Sequence, residues 1–151
     1  IHKLSLDKLG VVMQFHVLAM FLPSLVTGNL IKKFGYSKIM YVGVIFYIFT
    51  ILMSFFEPSY LNYFAGLVFL GIGWNFLFVS GTSLLVTTYK PEEKFKAQGF
   101  NDLVVFSLTA VSSLSAGILI SITSWKIVNL LCIPFLILII FSIINAQRKS
   151  K

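Results

Sequence analysis

Few side chains in this 151-residue chain are equipped for chemistry, and most of those lie inside long apolar runs. Trp74 and Asn75 sit together in the middle of one run, "GLVFLGIGWNFLFVSGTSLL". An indole offers a flat apolar wall with one donor, and a carboxamide offers oriented hydrogen bonds, so the pair suits the lining of a solute cavity. The same residues serve equally as packing groups, with the amide as buried polar glue between helices. Asp102, with Asn101 beside it, is the only acid inside any of the long apolar runs. A carboxylate at membrane depth suits proton relay or charge pairing at a gate. Asp102 also lies near a helix start with Lys94 and Lys96 close in sequence, where the helix dipole favours an anion for structural reasons alone. Histidines titrate near neutrality, so His16 is able to carry a proton or to act as a hydrogen-bonded packing group. Trp74 and Asn75 are thus the cavity candidates, and Asp102, Asn101 and His16 the gating or coupling candidates.

Other chemistries find no support. There is no HExxH or GxSxG motif and no pair of acids at depth, so an enzyme is not expected. Cys132 stands alone in an apolar run, without CxxC or Cys/His spacing, and reads as a small packed hydrophobe. His2 and His16 are too separated to build a metal site, and no cofactor or metal is expected.

The elements that must position these groups are membrane-spanning helices. The chain is 58% hydrophobic and 11% charged, with a mean hydropathy of +0.93, whereas soluble domains carry roughly 25% charged residues. Five apolar spans can be counted, at about 10–31, 39–56, 60–89, 98–122 and 127–145. Each is long enough for a helix to cross a hydrocarbon core of ~30 Å, the second and fifth with little to spare. The runs are continuous, whereas barrel strands would alternate apolar and polar residues. The predicted fold class is an all-α integral membrane protein with five transmembrane helices.

The net charge of +7 invites a nucleic-acid reading, but the charges form no basic face. Nine of the twelve basic residues fall in three places: Lys32, Lys33 and Lys38; Lys90, Lys94 and Lys96; and Arg148, Lys149 and Lys151. Between Ile39 and Tyr89 the only charge is Glu57, and between Leu103 and Gln147 it is Lys126. Lysines at the ends of oily runs are a topology signal. They put loops 32–38 and 90–97 and the tail 146–151 in the cytoplasm, and the first residues outside. The chain starts with Ile rather than Met, without a signal-peptide pattern, and reads as the interior of a longer protein.

The spans differ in character. The second and fifth are bulky and apolar nearly all round, as lipid-facing helices are. The third carries Gly66, Gly71, Gly73 and Gly81, which let helix backbones approach closely, and reads as interior. The fourth has a polar stripe, Gln98, Asp102, Thr109, Ser113 and Ala116, and the first a weaker one, His16, Met20, Pro23 and Thr27. Ser24 and Gly28 read as a close-packing pair, and Pro23 and Pro134 as kinks. The first, third and fourth spans are expected to pack, which calls for further helices. "KPEEK" reads as a short cytoplasmic helix leading into the fourth span.

The turn "GNLIKKFGYSK" resembles a known signature. Gly28, Leu30, Lys33 and Gly35 match G-x-L-x-D-R-x-G-R-R, the loop signature of the major facilitator superfamily of secondary transporters. Lys32 replaces the signature's aspartate, and Tyr36 and Ser37 its closing basic pair, so no charge-pair gating role carries over to this loop. "FHVLAMFLPSLVTGNLIKKFG" is similar to helix eight of bacterial members, and "LGIGWNFLFVSGTSLLVTTYKPEEKFKAQGFNDLVVF" to helix ten, loop and helix eleven. The resemblance implies helices eight to twelve, most of the C-terminal six-helix half, with helix ten lining the cavity and helices nine and twelve peripheral. It also implies alternating access to a midplane site, in a cytoplasmic membrane of bacterial type, for a small-molecule solute. Ion coupling is expected of the whole protein, with the missing N-terminal helices and the lipid bilayer as partners, and the chain is expected to be inactive alone. The alternative is a five-helix membrane scaffold or the product of a decayed transporter gene.

Overall fold

The computed structural model describes residues 5–57 and 59–149, and among these it is almost wholly helical, without strands. The order is α1 (Leu6–Phe21), α2 (Ser24–Phe34), α3 (Tyr36–Met53), α4 (Tyr60–Val86), a 3-10 turn (Pro91–Glu93), α5 (Lys94–Ile122), α6 (Trp125–Leu130) and α7 (Ile133–Lys149). Taken with their breaks, these make five rods long and apolar enough to cross a membrane, as the composition implies.

The breaks follow from local chemistry. Pro23 has no N–H to give to Ala19, so α1 closes at Leu22, whose N–H reaches Leu18 O at 2.8 Å, and α2 restarts at Ser24. Pro134 has the same effect on the last rod, where Leu131 and Cys132 separate α6 from α7. Gly35 alone joins α2 to α3, with φ 83° and ψ 152°, a backbone region that only glycine visits without strain. Ser59 and Ser124 accept hydrogen bonds from Asn62 N and Ile127 N and cap α4 and α6. "KPEEK" forms a single 3-10 turn, in which the Glu93 carboxylate accepts from Lys90 N–H, and α5 starts directly after it.

The core is the crossing of α4 with α3 and α1. A Cβ on Gly73 would lie 2.6 Å from Tyr47 Cδ1 and 2.9 Å from Gly43 O, so the two backbones nearly touch. Thr50 Oγ1 lies 3.1 Å from both Phe46 O and Gly66 O, a hydroxyl tie between α3 and α4. On the other side of α4, a Cβ on Gly71 would meet His16 O at 2.7 Å and Ala19 Cβ at 2.9 Å. Met40 and Val44 of α3 close a small apolar cluster with Ile143 of α7.

Three expectations are corrected. The second span is not apolar and lipid-facing all round: α3 buries Ile39, Met40, Gly43, Val44 and Thr50, because its glycine and threonine fit the small face of α4. The fourth span is not closely packed within this chain: α5 buries no residue along its 29 positions, and of its stripe Gln98, Asp102 and Ala116 are half-buried while Thr109 and Ser113 are exposed. Gly28 makes no close contact, since nothing lies within 4 Å of where its Cβ would be; Ser24 and Thr27 meet α4 instead.

The glycine crossing can be tested by paired substitutions in the detergent-solubilised full-length protein. Gly73→Ala is expected to cost roughly 1–3 kcal/mol by overpacking and to lower the melting temperature. Gly10→Ala, near the start of α1, where a Cβ meets nothing within 4 Å, should leave it unchanged or slightly raised. Equal melting temperatures would contradict the crossing.

Candidate functional site

The polar groups of α1, α2 and α4 converge at the Pro23 break. With Pro23 ending the regular ladder, the Met20 carbonyl takes a partner from another helix: Asn75 Nδ2 donates to Met20 O at 2.7 Å. Because a carbonyl can only accept, this bond fixes which end of the Asn75 amide is nitrogen. The same nitrogen lies 2.6 Å from Ser24 Oγ. On the other end, Thr27 Oγ1 lies 2.8 Å from Asn75 Oδ1 and 2.7 Å from Pro23 O, one hydroxyl proton serving two acceptors. Asn75 is 1% exposed and Thr27 0%. Both amide hydrogens of Asn75 are thus committed within the chain, and its position is that of a clasp across a broken helix.

His16 supports the same contact two turns of α4 away. Its Nδ1 lies 2.7 Å from Leu67 O, and since that carbonyl accepts only, Nδ1 carries the proton. His16, Gly71 and Asn75 therefore tie α1 and α2 to one face of α4, at Leu67, Gly71 and Asn75.

Trp74 points elsewhere. Adjacent helical residues are turned by about 100°, so the two sequence partners diverge. The Trp74 indole stacks on Phe78 with centroids 4.6 Å apart and planes 10° from parallel, and Phe21 meets it edge-on at 6.2 Å. It remains half-buried, leaving an aromatic wall beside the kink.

Asp102 and Asn101 lie on α5, both half-buried, with Asn101 Nδ2 3.2 Å from Asp102 Oδ1. No hydrogen bond joins them to the α1–α4 clasp among the described residues. Of the loop residues, Gly35 makes the turn, Lys33 lies over the Phe34 ring at 5.2 Å, Leu30 is half-buried and Gly28 is exposed. The structure thus brings together His16 and Asn75, sets Trp74 apart on an aromatic face, and leaves Asp102 on a separate helix. Sequence reasoning did not pair Asn75 with Ser24 and Thr27, although the stripe His16–Met20–Pro23–Thr27 marks the face of α1 and α2 that meets α4.

The clasp predicts a measurable coupling. Asn75→Ala strands the Met20 carbonyl in a dry interface and leaves the Thr27 hydroxyl with Pro23 O alone, and is expected to cost about 1–3 kcal/mol. In a double-mutant cycle with Thr27→Val, the coupling should be on the order of 1 kcal/mol. Strict additivity of the two unfolding free energies would contradict the bond.

Comparison with known proteins agrees with this architecture. The family model described as Major Facilitator Superfamily matches residues 1–150. The chain is 37% identical over 143 residues to the "Riboflavin transporter RfnT" of Brucella anthropi, covering 95% of this chain and 36% of that protein. It is 30% identical over 131 residues to the "Uncharacterized MFS-type transporter YddS" of Bacillus subtilis, covering 85% of this chain and 30% of that one. The "Uncharacterized MFS-type transporter YdeG" of the same organism is 30% identical over 132 residues, 86% of this chain and 31% of its own length. The chain spans about a third of the length of these relatives. No solved structure matches it at a significant level. With a match from end to end, five helices able to cross a membrane and transporter relatives, the chain belongs to the Major Facilitator Superfamily of multi-pass membrane transporters.

Proposed function

We propose that this chain is the C-terminal part of a secondary active transporter that moves a small solute across the cytoplasmic membrane by alternating access. The observation that carries this reading is a contrast between helices. α4 is bound to α1, α2 and α3 through glycine contacts and the Asn75 clasp, whereas α5 buries nothing over 29 residues yet carries a polar stripe. A stripe of amides, hydroxyls and a carboxylate facing lipid along its whole length is costly. A second body, the rest of the same protein, covers that stripe in this reading, and solute passes between the two. The lysine-rich turns at 32–38 and 90–97 and the tail face the cytoplasm, by the positive-inside rule.

Trp74, stacked on Phe78, is the wall against which a planar solute lies, and Asn75 acts behind it as a positioning residue. Since a relative is named as a riboflavin transporter, a planar heteroaromatic vitamin is the first solute class to test. In this reading Asp102, with Asn101 beside it on α5, serves gating or ion coupling, and His16, engaged with Leu67 O, stiffens the α1–α4 contact.

Reconstituted full-length protein should take up labelled riboflavin above empty liposomes. Trp74→Ala should raise KM about two- to tenfold, the range expected for losing one aromatic stacking partner, while Trp74→Phe keeps most of the affinity. Residues 1–151 alone should give no uptake. Uptake by that fragment, or a KM indifferent to Trp74→Ala with riboflavin as a true substrate, would overturn the respective assignment.

A further inference from the structure

We propose that the cleft at the end of the bundle opposite the lysine-rich turns binds the headgroup of a zwitterionic phospholipid bearing a primary ammonium, as in phosphatidylethanolamine. The cleft forms where α3 ends, α4 begins, α5 ends and α6 begins, and has a volume of about 570 Å³. Among the described residues, two charged side chains line it, Glu57 and Lys126. These are the two isolated charges of the sequence, each alone within some forty or more uncharged residues. The fold brings the one lone acid and the one lone base into the same hollow, although 69 positions separate them.

The surroundings narrow the ligand. Lys126 Nζ lies 4.5 Å from the Phe55 ring centroid, which holds the ammonium at the cleft wall. Glu57 is fixed by its backbone, since Asn62 Nδ2 donates to Glu57 O at 2.7 Å. Behind them Trp125 meets Tyr63 edge-on at 5.6 Å and supplies an aromatic back wall. The hydroxyls of Ser121 and Thr123 are spent on Ile118 O and Leu119 O of their own helix. A sugar-like ligand, which needs many free hydrogen-bonding groups, is therefore poorly served. A simple anion would meet Glu57 as well as Lys126. A ligand with one phosphate and one ammonium satisfies both, with the aromatic faces adding to the cation's attraction. Such a molecule is at hand: the cleft lies at helix ends rich in Trp, Tyr and Phe, the level at which the headgroups of a bilayer sit. This inference requires only that the protein spans a membrane, and is independent of what is transported.

The test is native mass spectrometry of the full-length protein released from vesicles of equal phosphatidylethanolamine, phosphatidylglycerol and phosphatidylcholine. Phosphatidylethanolamine should be retained preferentially. Lys126→Gln and Glu57→Gln should each lower its retention about fivefold, the order expected for one charged group at a membrane surface. Both side chains are exposed, so melting temperatures should match the wild type and exclude misfolding as the cause. Preferential retention of phosphatidylglycerol that is insensitive to Glu57→Gln would mean a plain anion site and overturn the proposal. So would unchanged retention in both variants. So would a disulfide between Lys126→Cys and a cysteine elsewhere in the full chain, with no lipid bound, because protein would then occupy the cleft.

Discussion

Inside a hydrocarbon layer no water replaces a lost backbone partner, so a carbonyl left open where a helix breaks must be satisfied by the protein itself. The Asn75 bond to Met20 O answers that requirement, and the arrangement of α4 follows from it. For Asn75 to reach the break, α4 must present Leu67, Gly71 and Asn75 to α1 and α2, one turn apart each. That rotation sends Gly66, Gly73 and Leu77 to the opposite side, where Gly43, Tyr47 and Thr50 of α3 receive them. Gly71 and Gly73, only two residues apart, thereby serve two different neighbours. A helix with small residues on both faces is what a central position between two partners demands.

Much of this was legible in the residues. Continuous oily runs punctuated by lysines identify spanning helices, because only closed hydrogen-bonding elements survive in lipid. The glycines of α4 mark it as interior, since a small residue in a lipid-facing helix gains nothing. The stripe from His16 to Thr27 marks the inner face of α1 and α2 by its helical spacing. The loop residues from Gly28 to Gly35 carry the family resemblance, and the match over residues 1–150 agrees with it.

What remained hidden has physical causes. One glycine and one threonine in α3 are easily lost among large apolar neighbours, yet Gly43 and Thr50 decide which side of that helix is packed. Trp74 and Asn75 look like one site as letters, but the helical turn sends one toward Phe78 and Phe21 and the other into the clasp. The polar stripe of α5 signals contact without saying with what. Sequence pattern likewise gives no sign that Glu57 and Lys126 share a cleft, because their meeting depends on how two distant turns stack.

The bundle is firm where α1, α2, α3 and α4 meet and open along α5, and the transport reading depends on another part of the same protein covering that opening. The most direct measurement places a fluorophore on α5 of the full-length protein in lipid, at Ser113→Cys in the stripe or at Leu114→Cys beside it, and quenches it with spin-labelled lipid. The account predicts strong quenching at position 114, where the leucine is 74% exposed in this chain, and weak quenching at position 113, where the other half shields it. Equal quenching at both positions would mean that α5 faces lipid all round, and a two-body transporter would then be contradicted.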